Sequence, residues 1–160
     1  MRGVATLWGL GARVPAPGTW GSAAALPLGW VLHGLGGFPL FAAGAAAVCG
    51  WGWWSIRGNA VHEADASEVI VDEAAGQLVA LAPLSLGLWV MGAAAWVWPW
   101  PGWVGAFLAF RLFDIWKPGW VGRAEALPGA TGVMADDLVA GAFAALAVTA
   151  AAAVGHAWLI

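Results

Sequence analysis

Phe110-Arg111-Leu112-Phe113-Asp114-Ile115-Trp116-Lys117-Pro118 ends a long uncharged block with three charges at three-residue intervals. On a helix that spacing sets Arg111, Asp114 and Lys117 on one broad face. Pro118 favours a stop there. Only 9% of the 160 residues are charged, so a cation–anion–cation row at the edge of an apolar segment needs a reason. Taken alone, it reads equally well as an interfacial anchor with salt-bridged neighbours.

The rest of the chain tips that balance. It is 62% hydrophobic, with 14 Trp and no Tyr. A soluble domain is typically about 45–50% apolar and about 25% charged. The charges fall in three groups: Arg2 and Arg13, then Arg57 through Glu73, then Arg111 through Asp137. Between and after them lie three uncharged blocks, Val14 to Ile56, Ala74 to Phe110 and Leu138 to Ile160. A spanning helix takes about 20 apolar residues. The last block suits one pass, and each of the first two suits a helix out and a helix back. All three charged groups then return to one side of the membrane. Because that side carries all six Lys and Arg, the positive-inside rule makes it cytoplasmic. The expectation is one all-α domain over residues 1–160, a multi-pass membrane helical bundle of about five hydrophobic segments, some short or re-entrant.

Local signals refine this outline. His33 to Pro39 carries the turn of a first hairpin, and Trp96 to Trp103, four Trp around two Pro, the turn of a second. Trp51, Trp53 and Trp54 sit before Arg57 where an aromatic belt belongs. His33 and His156 read as residues of the far interface, and His62, Glu63, Glu68, Arg123 and Glu125 as solvated loop residues. Gly11 to Ser22, rich in Gly and Pro, reads as a shaped loop, with Thr19 or Ser22 capping the next helix and its free N–H groups open to an anion. Gly129 to Gly132 reads as a turn before a last helix from Leu138 to Ile160, with Asp136 as its N-cap. Gly76 leaves room for a neighbouring helix to approach. The single Cys49 excludes an internal disulfide. No basic surface suited to nucleic acid is present.

Three separate segments deliver acids to the cytoplasmic face: Asp72 and Glu73, Asp114, then Asp136 and Asp137. Each has an ordinary explanation, since carboxylates favour the first turn of a helix. Together and bare, the five would repel strongly. A hard divalent cation relieves that repulsion, and in the absence of a Cys/His cluster Mg²⁺ is the fitting ion. Arg111 and Lys117 suit phosphate oxygens. A metal with cations around carboxylates is the equipment of phosphoryl transfer. The competing reading is a small cation-coupled transporter, which should place its acids near the midplane.

Four blocks resemble the phosphatidylglycerophosphatase A family. They are the Gly11 to Ser22 loop with Ala16-Pro17-Gly18-Thr19 and Gly21-Ser22, Val69-Ile70-Val71-Asp72-Glu73 with Gly76, the Phe110 to Pro118 stretch, and Gly132-Val133-Met134 with Asp136-Asp137 and Ala140-Gly141. The resemblance implies a Mg²⁺-dependent phosphatase of the bacterial inner membrane that converts phosphatidylglycerophosphate, an anionic phospholipid, to phosphatidylglycerol and phosphate. It implies Asp72, Glu73, Asp114, Asp136 and Asp137 as metal-holding and catalytic residues. Arg111 and Lys117 would bind phosphate, with Thr19 helping to seat the headgroup.

Overall fold

The computed structural model describes residues 16–58 and 70–159. The residues at 1–15 and 59–69, including Arg2, Gly11 to Arg13, His62, Glu63, Asp65 and Glu68, lie outside the described residues. Within them the chain forms five helices: α1 Pro17–Gly58, α2 Val71–Val90, α3 Trp100–Trp116, α4 Trp120–Glu125 and α5 Ala130–Leu159. No strand occurs among the described residues. Three of the helices, α1, α2 and α5, are long and apolar enough to cross a membrane, whereas α3 has 17 residues.

α1 is a hairpin. Its helical geometry breaks at Gly36 and Gly37, and Gly37 has φ 62°, a left-handed conformation that suits glycine. Past the break the chain doubles back. A Cβ on Gly29 would lie 3.1 Å from the Phe41 ring, and one on Gly44 would lie 2.6 Å from Leu32. In one straight helix those pairs would stand about 18 Å apart at ~1.5 Å per residue. Both ends of the hairpin reach the start of α2, Gly21 against Ile70 and Gly52 against Val71. The expected first hairpin and its turn are therefore present.

The centre of the bundle is the crossing of α2 and α5. A Cβ on Gly76 would lie 2.5 Å from the Asp137 carbonyl oxygen and 2.6 Å from the Phe110 ring. Gly141 packs directly on the Gly76 carbonyl. Small residues let helix backbones approach closely in a membrane, where lipid is as apolar as Leu and packing drives association. Around the crossing, Phe41, Leu78, Leu81, Ala106, Phe110 and Ala144 are buried. A second cluster of Ile56, Val71, Ala75 and Met134 lies beside the helix ends. Large apolar side chains such as Val90, Leu108 and Ile115 face outward, 60–72% exposed, as suits a surface solvated by acyl chains.

Two local expectations are corrected and a third is refined. His33, expected near the far turn, is buried, shares a 2.8 Å hydrogen bond with Ser85 and lies beside Trp98. A buried imidazole needs such a partner. Ser22 is no cap; its hydroxyl donates to the Gly18 carbonyl inside α1. Gly129 to Gly132 is not a free turn, because α5 begins at Ala130. Asp136 and Asp137 thus lie in its second turn, beyond any capping position. His156, exposed on the last turn of α5, donates to the Ala152 carbonyl.

Candidate active site

Ile70 leads into α2, and the first turn of that helix carries Asp72 and Glu73. The Glu73 N–H donates to Asp72 Oδ1 at 3.0 Å, orienting that carboxylate locally. Asp137 approaches from α5 because the Gly76–Gly141 contact brings the two backbones together. One carboxylate oxygen from each of Asp72, Glu73 and Asp137 lies within 4.8 Å of the others. Asp72 and Asp137 are buried and Glu73 half-buried.

Asp114, on the last turn of α3, adds a fourth carboxyl in contact with Asp137. Its Oδ2 accepts a 2.6 Å bond from Arg111 Nη1. Arg111 also neighbours Glu73, and both side chains press against Gly18. A side chain at position 18 would strike the Glu73 carboxylate, so glycine there lets α1 cover the acids.

Lys117 does not continue the α3 row. It is the helix's C-cap in the left-handed conformation, with its N–H on the Phe113 carbonyl. That turn swings its side chain towards α5. Its Nζ donates to Asp136 Oδ2 at 2.6 Å and to Glu125 Oε1 at 2.8 Å. Burial pulls the ammonium's pKa down, but the bonds to Asp136 and Glu125 outweigh it and hold Lys117 above its ordinary value.

These groups border a cavity of about 820 Å³ whose walls include Asp72, Glu73, Asp114, Lys117, Asp136 and Asp137. Ile56, Leu127 and Val133 supply apolar wall. Two proposed phosphate ligands are absent from that wall. Arg111 stands behind the acids, and Thr19 is exposed while its neighbour Gly18 makes the approach. Arg57 and Glu125 do line it, though the sequence reading left both out of the site. Glu125, taken for a solvated loop residue, contacts Lys117 from a position with no local motif. Arg57 carried one faint signal, since Trp53 stands four residues earlier and its ring lies 5.2 Å from the guanidinium carbon.

The donor set suits a hard cation. It offers only carboxylate oxygens, and Glu73 Oε2 and Asp136 Oδ1 are buried without a hydrogen-bond partner. Buried polar atoms are normally satisfied, and Mg²⁺ prefers oxygen ligands. The five acids are not equivalent. Asp72, Glu73 and Asp137 converge, Asp114 joins through Asp137, and Asp136 is turned to Lys117.

The profile of the family described as Phosphatidylglycerophosphatase A matches residues 3–152. A Phosphatidylglycerophosphatase A from Haemophilus influenzae is 32% identical over 148 residues, covering 89% of this chain and 83% of its own. A Bacteroides thetaiotaomicron protein, provisionally named phosphatidylinositol-3-phosphatase, is 37% identical over 87 residues, covering 54% of this chain and 49% of its own. No solved structure gives a significant match. With acids, lysine and cavity gathered at one end of an apolar bundle, and with the family profile spanning nearly its whole length, this chain belongs to the phosphatidylglycerophosphatase A family of phosphatases.

Proposed function

We propose that this protein hydrolyses the terminal phosphomonoester of phosphatidylglycerophosphate to give phosphatidylglycerol and inorganic phosphate, with Mg²⁺ as cofactor, in phospholipid biosynthesis. The observation that carries the reading is the convergence of Asp72, Glu73 and Asp137 to within 4.8 Å on a cavity wall. Those three, with Asp114 beside them, are the residues that would hold the ion. When bound, it would offset the acids' repulsion and polarise the phosphomonoester.

The chain's own groups do the rest. Lys117 has three N–H donors, two of which go to Asp136 and Glu125, leaving one for a phosphate oxygen. Arg111 orients Asp114 and Glu73 from behind. A carboxylate of the cluster takes the proton of the attacking water as the phosphorus–oxygen bond to glycerol breaks. Attack by an aspartate, through an aspartyl phosphate, is the alternative. The apolar wall and outward-facing side chains keep the acyl chains in the bilayer.

Arg57, Arg111, Lys117 and Arg123 all lie at the acid-bearing end. This favours a multi-pass protein of the bacterial inner membrane with its active face cytoplasmic. The transporter reading fits less well, because the described acids lie towards helix ends rather than mid-span.

The test is phosphate release by purified protein from a lipid panel, with Mg²⁺ or with EDTA. The panel holds phosphatidylglycerophosphate, phosphatidate and, because of the second relative's name, phosphatidylinositol 3-phosphate. The expected result is Mg²⁺-dependent release, greatest from phosphatidylglycerophosphate. Ion flux in liposomes without phosphate release would reverse the choice.

A further inference from the structure

The cations near the acids are unequally occupied. Lys117 is bonded to Asp136 and Glu125. Arg111 is bonded to Asp114 and stands off the cavity wall. Arg57 does line the cavity, yet it pairs with no carboxylate among the described residues. Its guanidinium lies over the Trp53 ring at 5.2 Å. Stacking on an aromatic face steadies the fork but uses only its flat side, so the N–H donors around its edge stay free.

Position adds to this. Arg57 lies in the last turn of α1, three residues after Trp54, and Trp51, Trp53 and Trp54 are exposed. Tryptophans of this kind settle at the headgroup level of a bilayer. The substrate proposed above carries two phosphates, a diester next to the acyl glycerol and the monoester that is cleaved. With the monoester at the buried acids, the diester lies nearer the headgroup level. An anionic diester meeting this carboxylate-rich wall with no cation would be repelled.

We propose that Arg57 is the diester-binding residue, with Trp53 holding it in place, so that the site reads a diester–monoester pair rather than a lone phosphomonoester. The proposal rests on the lipid-phosphatase reading. Arg57→Ala removes the fork, and Arg57→Lys keeps the charge while losing the planar fork.

Three probes separate the two phosphates. Phosphatidylglycerol has only the diester, inorganic phosphate mimics only the monoester, and phosphatidylglycerophosphate has both. In Arg57→Ala, kcat/KM for phosphatidylglycerophosphate falls at least about tenfold, as expected for a lost hydrogen bond between charged groups. Inhibition by phosphatidylglycerol weakens by a similar factor, inhibition by inorganic phosphate does not change, and Arg57→Lys recovers only part of the loss. Equal weakening of both inhibitors, or of neither, overturns the proposal and leaves Arg57 as an interfacial anchor. Calorimetric binding of short-chain phosphatidylglycerol needs no turnover. An unchanged Kd in Arg57→Ala rejects the diester role, whereas a wild type that cannot cleave phosphatidylglycerophosphate rejects the reading of the site itself.

Discussion

Lys117 Nζ lies 2.6 Å from Asp136 Oδ2 and so ties the end of α3 to the second turn of α5. The left-handed backbone at Lys117 makes this reach possible. A residue continuing the helix would have kept to the Arg111–Asp114 face. Lys117→Gln should therefore lower activity at least tenfold, since Asp136 loses its charged donor. The pH dependence follows from Lys117 being held above its ordinary pKa. A raised cation stabilises fully below the unfolded pKa, about 10.4 for lysine, and is lost only as pH climbs through the folded value. The deficit in melting temperature of Lys117→Gln against wild type should be flat from about pH 6 to 9 and shrink only above about pH 10. A deficit that disappears near neutrality contradicts this.

Asp137 is the acid that every other member of the cluster approaches. Asp137→Asn should cut phosphatase activity at least about a hundredfold, because even residues behind a metal ligand cost 10–100-fold when changed. In EDTA the same variant should melt above wild type, since one buried like charge is gone. Mg²⁺ should raise the wild-type melting temperature, the linkage reaching about 2.7 kcal/mol at 100 times Kd, and leave Asp137→Asn unmoved. Thermal melts with and without Mg²⁺ measure both arms.

Gly76→Ala tests the crossing. Its Cβ would stand 2.5 Å from the Asp137 carbonyl oxygen, which is backbone and cannot swing aside. α2 and α5 must separate, at a cost of about 1–3 kcal/mol. The acids on either side of the crossing part with them. Stability and activity should fall together, as read from melting and phosphate release on one preparation.

Gly18→Ala makes the opposite case. The new methyl would meet the end of the Glu73 side chain and, at 3.2 Å, Arg111 Nη1. Those groups can move while the helices stay. Activity should drop about tenfold or more, consistent with a disturbed charged contact, with the melting temperature within a degree or two of wild type. A large loss of stability would mean that Gly18 serves packing instead.

Gln77 is fully buried, and both atoms of its amide lack a partner. An unmet buried amide costs roughly 1–3 kcal/mol, and an apolar residue of similar shape can relieve it. Gln77→Met should raise the melting temperature in detergent. A lower one would show that the amide is bonded in the working protein.

Several features were legible in the chain because local chemistry decides them. Uncharged blocks must be helices where backbone groups find no water, so the apolar segments and the Gly36–Gly37 turn could be read directly. The acid pairs stood out because charge is scarce here, and the family motifs name the same positions. Other features depend on how each helix rotates about its axis and which neighbour it meets, and no residue encodes that alone. Asp136 looked like a cap until α5 proved to start at Ala130. The burial of His33 against Ser85 of α2 could not be read from either segment, and Glu125 looked like a loop residue until Lys117 turned towards it. The polypeptide by itself specified a membrane-embedded helical protein and the residue types of its chemistry, because hydrophobicity and charge act over a few residues. Only the tertiary structure decided that Asp72, Glu73 and Asp137 share one point while Arg111 stands behind it. That outcome rests on the close approach at Gly76 and Gly141, a contact between segments distant along the chain.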